Sequence, residues 1–524
     1  MKALLRNKDK ILLAVVLVIA AFLRLYKISD YLTFLGDEGR DALVAYNILH
    51  GHLTLLGPTS SVGGFFLGPI YYYFMAPFLW LFHYDPTGPA VMVGLFGVLT
   101  VWFVYKIGCE FFNKNVAFVS AILYAISPVV IAYSRSSWNP NLMPIFTLFT
   151  LYALYKAVSK NNSKLFILSG ILFGITMQLH YLAVFVGIII ALYIISTKFY
   201  LKQKAESFIA VVKYTFSKYV LFLFGFIIGW SPFLAFEVRH NFTNIRNIIY
   251  FILFPPADFD PNASFGGNIY IVTFRLFGRV ATKFPPPEQV ALGAHFDILL
   301  WYLATILLGL VSIILFFKRY KKALKNKGED FLKIHLLFIW FVIGTILFGF
   351  YRKSIYDHYL EFLFPIPVLF VGNTLDTFFK AKNVLKIVSV VVFVCLVAIN
   401  LSGVPFLAPA NRQLTQVKEI AQFVVDKSGG KPYNFALISA GNSDFAYRYY
   451  LKLWKKDPVE IQTLEQDPKR TSVTDQLLIV CEDPTCQPLG NPSWEVAGFG
   501  RGEIVQKWDV SVVSVYKLVH YKGK

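Results

Sequence analysis

Long uncharged runs recur along this chain from Ile11 to Phe406, each near the roughly 20 residues that carry a helix across a bilayer core. Beyond Asn411 the pattern changes, and short apolar runs alternate with polar and charged residues to the end. Basic clusters punctuate the apolar part: Lys2, Arg6, Lys8 and Lys10; Lys106 to Lys114; Lys156, Lys160 and Lys164; Lys198 to Lys218; Lys318 to Lys333; and Lys380 to Lys386. Cytoplasmic loops are enriched in Lys and Arg. Placing every cluster on that side predicts eleven spans, at 11–26, 89–109, 115–133, 140–157, 165–180, 182–197, 219–237, 297–317, 332–350, 359–378 and 384–404. The predicted fold class is a polytopic α-helical membrane protein, residues 1–410, with a small C-terminal α/β domain, residues 411–524. The first run continues through Arg24 with no small-residue cleavage site, so it reads as an uncleaved helix with the N-terminus in the cytoplasm. The C-terminal domain then falls outside the plasma membrane.

One uncharged stretch, 63–83, is long enough to span, yet counting it would turn every later lysine cluster outward. It is interrupted by Pro69 and Pro77 and carries Tyr71, Tyr72 and Tyr73, residues that break helices or favour the headgroup level. It is therefore assigned to interfacial or re-entrant helices in a first external loop, 27–88; a twelve-span arrangement is the rival. A second long external loop, 238–296, contains Pro255, Pro256 and the segment KFPPPEQ, and reads either as a lid that orders on donor or acceptor binding or as a mobile loop resting on the membrane surface. Asn262 opens a sequon in form only.

In the tail, 414–427 has a helical period closed by Gly429 and Gly430, and 433–439 reads as a strand. A capped helix is expected over 443–454, a buried strand over 475–483 and one final strand over 505–519. Cys481 and Cys486 bracket a turn in this exported part, where a disulfide is permitted.

Composition agrees with a membrane protein: 56% of residues are hydrophobic and 15% charged, against about 25% charged in soluble domains. The net charge of +19 does not indicate nucleic acid, because the lysines lie in short loops between apolar runs rather than on one soluble face.

Just after the first span, the sequence FLGDEGRDA sets Asp37, Glu38, Arg40 and Asp41 at the expected outer surface, ahead of a short amphipathic helix closed by Gly51. Acids there serve as ordinary helix-start residues, favoured by the dipole. Charge beside a hydrocarbon boundary is costly and usually functional, and a carboxylate there is able to deprotonate an acceptor.

This arrangement, an external Asp-Glu pair with Arg three residues after the Asp, resembles the GT-C glycosyltransferases, in particular the protein O-mannosyltransferase and lipid A aminoarabinose transferase group. The likeness continues in ILYAISPVVIAYSRSSWNPN (122–141), MQLHYLAVF (177–185) and DHYLEFLFPIP (357–367). The resemblance implies inverting transfer of a sugar from a polyprenyl-phosphate carrier to an extracytoplasmic glycan, lipid or protein acceptor. Asp37 then matches the base, Glu38 its acidic neighbour and Arg40 an arginine near the lipid phosphate. Relatives carry a further acid in the second external loop, where this chain has Asn139 and Asn141.

A departing phosphate needs cations, and arginine offers it a bidentate fork. Arg40, Arg135, Arg239, His240, Arg352, Lys353 and His358 are the candidates, with Arg135, Arg239 and Arg352 weighted above the histidines. His180–Tyr181 and His358–Tyr359, two HY pairs at expected outer helix ends, join Asn139 as candidate sugar or acceptor contacts. No cofactor is expected, and a divalent metal is disfavoured because no His/Asp/Glu cluster has ligand spacing. The alternative class, a transporter or flippase of lipid-linked glycans, predicts internal repeats and mid-span charges that the sequence does not display.

Overall fold

The computed structural model describes all residues except 1, 61–63, 202–205, 255–262, 292–294, 484 and 524, so the sequon asparagine, Asn262, lies outside the described residues. The chain divides into two compact units. The larger comprises Met1–Tyr26, Thr54–Phe74 and Val91–Pro409; the smaller comprises Lys27–Leu53, Met75–Ala90 and Ala410–Lys524. Two stretches of the loop 27–88, assigned from sequence to the membrane domain, thus belong to the compact unit of the tail.

In the larger unit, each of the eleven predicted spans contains helix. Among the described residues, seven helices are long and apolar enough to cross a membrane; counting the pair Asp357–Leu363 and Pro365–Lys380, bent by 58°, as one span gives eight. The predicted span 115–133 is broken at Ser127–Pro128, because proline removes a helix donor and disfavours helical backbone before it. Within 63–83 the only helix among the described residues is Ile70–Leu81, whose 12 residues extend about 18 Å, short of the roughly 30 Å hydrocarbon core.

The expected span 219–237 requires correction. Its helix runs Phe208–Gly229, capped by the Ser207 side chain, and Pro232 opens a separate short helix, Ser231–Arg239. Lys213 and Lys218 lie inside this helix, since a lysine has good helix propensity and does not end one. The Lys218 ammonium sits 5.3 Å from the Phe166 ring and 5.0 Å from the Tyr214 ring, so the charge is tolerated against aromatic faces.

The same helix packs backbone to backbone on Ser163–Leu179. A Cβ on Gly170 would overlap the Phe222 carbonyl oxygen, and one on Gly225 the Ile167 carbonyl oxygen. Small residues at such crossings let dispersion act at close range where lipid offers no hydrophobic driving force. The external loop 238–296, read from sequence as a lid or a mobile loop, contains the helices Thr243–Leu253 and Phe265–Arg275, the latter running into a π-turn, Leu276–Ala281.

In the smaller unit, a four-stranded sheet has the order β1-β2-β4-β3, with β1 Asn434–Ile438, β2 Gln476–Cys481, β3 Gly502–Val510 and β4 Val513–His520. β1 and β2 are parallel; the remaining pairs are antiparallel. Leu477, Ile479, Ala436, Phe499 and Leu518 form its core. Helix Gln413–Ser428 ends where Gly429 takes a left-handed φ of 62°. The single strand expected over 505–519 is two strands of a hairpin. Its turn places Ser511, not glycine or asparagine, at a φ of 54°, so the usual turn signal is missing. Cys481 and Cys486 are joined in a disulfide.

Gly225→Leu should overpack the glycine crossing and cost about 1–3 kcal/mol. Thermal unfolding in detergent checks this, with Gly266→Ala, whose Cβ would meet nothing within 4 Å, as the neutral control.

Candidate functional site

The acidic motif opens the helix Gly36–Leu49 of the smaller unit. Positions 38, 41, 42 and 45 have the i, i+3, i+4, i+7 spacing of a core-facing stripe, and Glu38, Asp41, Ala42 and Ala45 are all buried. Two acids thus occupy positions that a structural helix gives to apolar side chains. Asp37 lies at the edge of this face with its side chain 57% exposed.

Three backbone donors at the start of the helix have defined partners. The Leu35 amide donates to Glu38 Oε2 at 3.1 Å, Gly36 to Asn442 Oδ1 at 2.8 Å, and Gly39 to the Leu35 carbonyl at 2.8 Å. Behind Asn442, its Nδ2 donates to both Glu482 oxygens at 3.0 and 3.1 Å, and the Tyr447 hydroxyl donates to Glu482 Oε1 at 2.8 Å. The helix can lie this close because it has no side chain at two points. A Cβ on Gly39 would collide with the Ala446 backbone, and one on Gly36 with Ser443.

Arg40 links the two flanking aspartates. Its NH1 donates to Asp37 Oδ1 at 2.8 Å, while Nε and NH2 donate to Asp41 Oδ1 at 3.0 and 2.8 Å. Burial pushes the Glu38 carboxyl up to about 7; the Asp41 and Asp37 charges add to this, against the stabilising amides of Glu38 and Leu35.

In the larger unit the structure brings together the two HY pairs, which are far apart in sequence. The His180 and His358 rings lie 6.2 Å apart, His180 and Tyr359 5.6 Å, and Tyr181 and Tyr359 6.1 Å. Trp138 flanks His358 at 4.7 Å, and the Tyr181 and Tyr351 hydroxyls share a hydrogen bond of 2.8 Å. Asn139 donates through Nδ2 to the Leu179 carbonyl, which fixes the end of the helix just before His180. The turn carrying His358 is anchored by Asp357, paired to Arg275 at 2.8 Å and Arg279 at 2.6 Å. Arg275 and Arg279 were not singled out from sequence, although their i, i+4 spacing in an apolar segment was a readable signal.

The remaining cations sit in differing surroundings. Arg135 is buried and spends its guanidinium on the last carbonyls of the first helix: Leu23 at 3.0 Å, Arg24 at 3.1 Å and Tyr26 at 2.7 Å. Those helix-end contacts account for its burial. Arg239 is exposed in the last turn of Ser231–Arg239. Arg352 is exposed beside a cavity of about 440 Å³ that Asn268 and Tyr351 also line, and Lys353 is half-buried. A separate, mostly apolar cavity of about 220 Å³ is lined by Phe65, Leu67, Met177, Tyr181, Phe185 and Trp230, among others. Among the described residues, no three His, Cys, Asp or Glu side chains gather as metal ligands would.

Residues 67–244 match the family described as dolichyl-phosphate-mannose-protein mannosyltransferase. No curated protein sequence matches the chain. Among solved structures, ArnT from Cupriavidus metallidurans bound to undecaprenyl phosphate aligns over 97% of both chains, with a TM-score of 0.59 and 11% identity. The apo form of that protein aligns over 98% of both chains with the same score and identity. The archaeal oligosaccharyltransferase AglB from Archaeoglobus fulgidus, in complex with an inhibitory peptide and a dolichol-phosphate, aligns over 90% of this chain and 69% of its own, with a TM-score of 0.51 and 12% identity.

The fold is therefore that of a polytopic GT-C membrane protein with a small C-terminal sheet domain. The match of residues 67–244 to the mannosyltransferase family agrees with that likeness of fold.

Glu38 binds its proton more tightly folded than unfolded, so its contribution to stability is complete below the ordinary value of 4.5 and is lost as pH rises through about 7. Thermal unfolding between those limits should show wild-type stability declining with pH and Glu38→Gln flattening the decline.

Proposed function

We propose that this protein is an inverting glycosyltransferase that moves a sugar from a polyprenyl-phosphate donor to an extracytoplasmic glycan, lipid or protein acceptor, with Asp37 as base. The observation that carries this reading is the acidic helix start. It holds one exposed carboxylate at a fixed place beside two buried acids, with a guanidinium bridging it to the second. A carboxylate so held is ready to accept a proton, and its neighbours keep it from folding away.

In this mechanism Asp37 removes the acceptor proton as the acceptor attacks the anomeric carbon. The bond from that carbon to the donor phosphate oxygen breaks, and the polyprenyl phosphate leaves from the opposite face as an anion. Glu38 shapes the field around the base. Arg40, Arg135, Arg239, Arg352 and Lys353 are the proposed cations for the departing phosphate, and Arg40 NH1 also donates to Asp37. The paired His180–Tyr181 and His358–Tyr359, with Asn139 supporting them, form the proposed contacts to sugar or acceptor. The apolar cavity beside Tyr181 suits an isoprenoid segment. Undecaprenyl phosphate and dolichol-phosphate in the structural neighbours support a lipid-phosphate donor.

The proposed location is the plasma membrane, with the N-terminus cytoplasmic and the C-terminal domain outside. Lysine placement and the Cys481–Cys486 disulfide both favour this orientation.

The test supplies purified protein in lipid discs with labelled polyprenyl-phosphate sugars and envelope fractions. One fraction should gain label, and Asp37→Asn should lower the rate by about 100-fold or more without lowering abundance. Transfer at the wild-type rate by Asp37→Asn would remove Asp37 from the role of base.

A further inference from the structure

Nothing in the acidic motif itself explains why the tail supplies a polar relay to the helix that bears it. Gly36 carries the first amide of that helix, next to Asp37, and its partner is Asn442, about 400 residues further along the chain. Asn442 is oriented in turn. Both Glu482 oxygens hold its Nδ2, so the amide cannot flip, and its Oδ1 must face Gly36. Glu482 is itself fixed: Tyr447 donates to its carboxylate, its own amide donates to the Ile438 carbonyl at 3.0 Å, and it directly follows the disulfide-bonded Cys481. The relay therefore runs from the C-terminal end of the inner strand β2, through a carboxylate and an amide, to the backbone that aims Asp37.

We propose that Asn442 and Glu482 are positioning residues for the base, which makes the C-terminal domain part of the catalytic apparatus. This rests on the reading of Asp37 as base. The relay sets the direction of the first helical turn, and a misplacement of about 1 Å at a reacting group is able to cost on the order of 100-fold in rate. Substrate affinity need not change, because neither residue is assigned a contact with donor or acceptor.

The relay has a polarity that can be reversed. Asn442→Asp keeps an acceptor for Gly36 but sets a second carboxylate against Glu482, and like charges at that range repel. Glu482→Gln supplies an amide that donates to the carboxylate introduced at position 442 and still accepts from Tyr447. The double variant Asn442→Asp/Glu482→Gln therefore restores each link of the relay with the original net charge, with one hydrogen bond between positions 442 and 482 in place of two.

The experiment measures transfer kinetics and backbone hydrogen exchange over 34–40 for wild type, Asn442→Asp, the double variant and Asp37→Asn, in the full-length protein. For Asn442→Asp, kcat should fall by about tenfold or more with the donor KM within about twofold, and exchange over 34–40 should rise. The double variant should recover to within about threefold of wild-type kcat, with exchange restored. Wild-type kcat and exchange in Asn442→Asp, or a double variant no better than the single, would overturn the positioning role. An active Asp37→Asn would instead sink the functional reading, and the exchange data would still decide whether the relay holds the helix.

Discussion

Two helix backbones come nearly into contact where Gly39 meets Ala446, and the acidic site depends on that approach. A side chain at position 36 or 39 would push the helix Gly36–Leu49 off Phe445–Leu453. The Gly36 amide would then lose Asn442, and the buried stripe of Glu38, Asp41, Ala42 and Ala45 would lose its cover. The two glycines in the motif are thus as informative as its charges. They permit a contact between segments about 400 residues apart, and the carboxylates are held to a rigid element by it.

Holding acids on a buried face is unfavourable unless they are paired, hydrogen-bonded or protonated. The helix uses all three devices. Asp41 receives two bonds from Arg40, Glu38 folds back on the Leu35 amide, and burial raises Glu38 toward neutrality. Arg40 is drawn inward by Asp41 and outward by Asp37, and so is fixed without being consumed by either. The larger unit follows the same logic around Asp357, where Arg275 and Arg279 anchor the turn that carries His358. Charge in both units serves first to fix backbone at a helix start or a turn.

Much of this was legible in the sequence, and the failures have physical causes. Apolar run length and lysine placement located a helix in every expected span, although among the described residues only seven, or eight with the bent pair, are long and apolar enough to cross a membrane. The same lysines misplaced the helix Phe208–Gly229, since lysine marks membrane depth but does not terminate a helix. In the tail, periodicity found four elements with boundaries close to those observed, while the hairpin at Ser511 escaped for want of a glycine or asparagine. The acidic motif was readable as chemistry. Its anchoring was not, because Asn442 and Glu482 look like ordinary loop residues until the fold sets them against Gly36. Arg135 likewise has partners that its position did not announce: it donates to the carbonyls of Leu23, Arg24 and Tyr26.

The central claim concerns a bond between a sugar and a lipid phosphate, and the most direct measurement follows that bond. Phosphorus NMR of a polyprenyl-phosphate sugar, incubated with the purified protein and its acceptor fraction, reports the phosphate as it is released. Proton NMR of the product reports the configuration at the anomeric carbon. The account predicts conversion of the phosphodiester to polyprenyl monophosphate, together with a product of inverted configuration. A donor left intact with every envelope fraction, or a product that retains the donor's configuration, would contradict it.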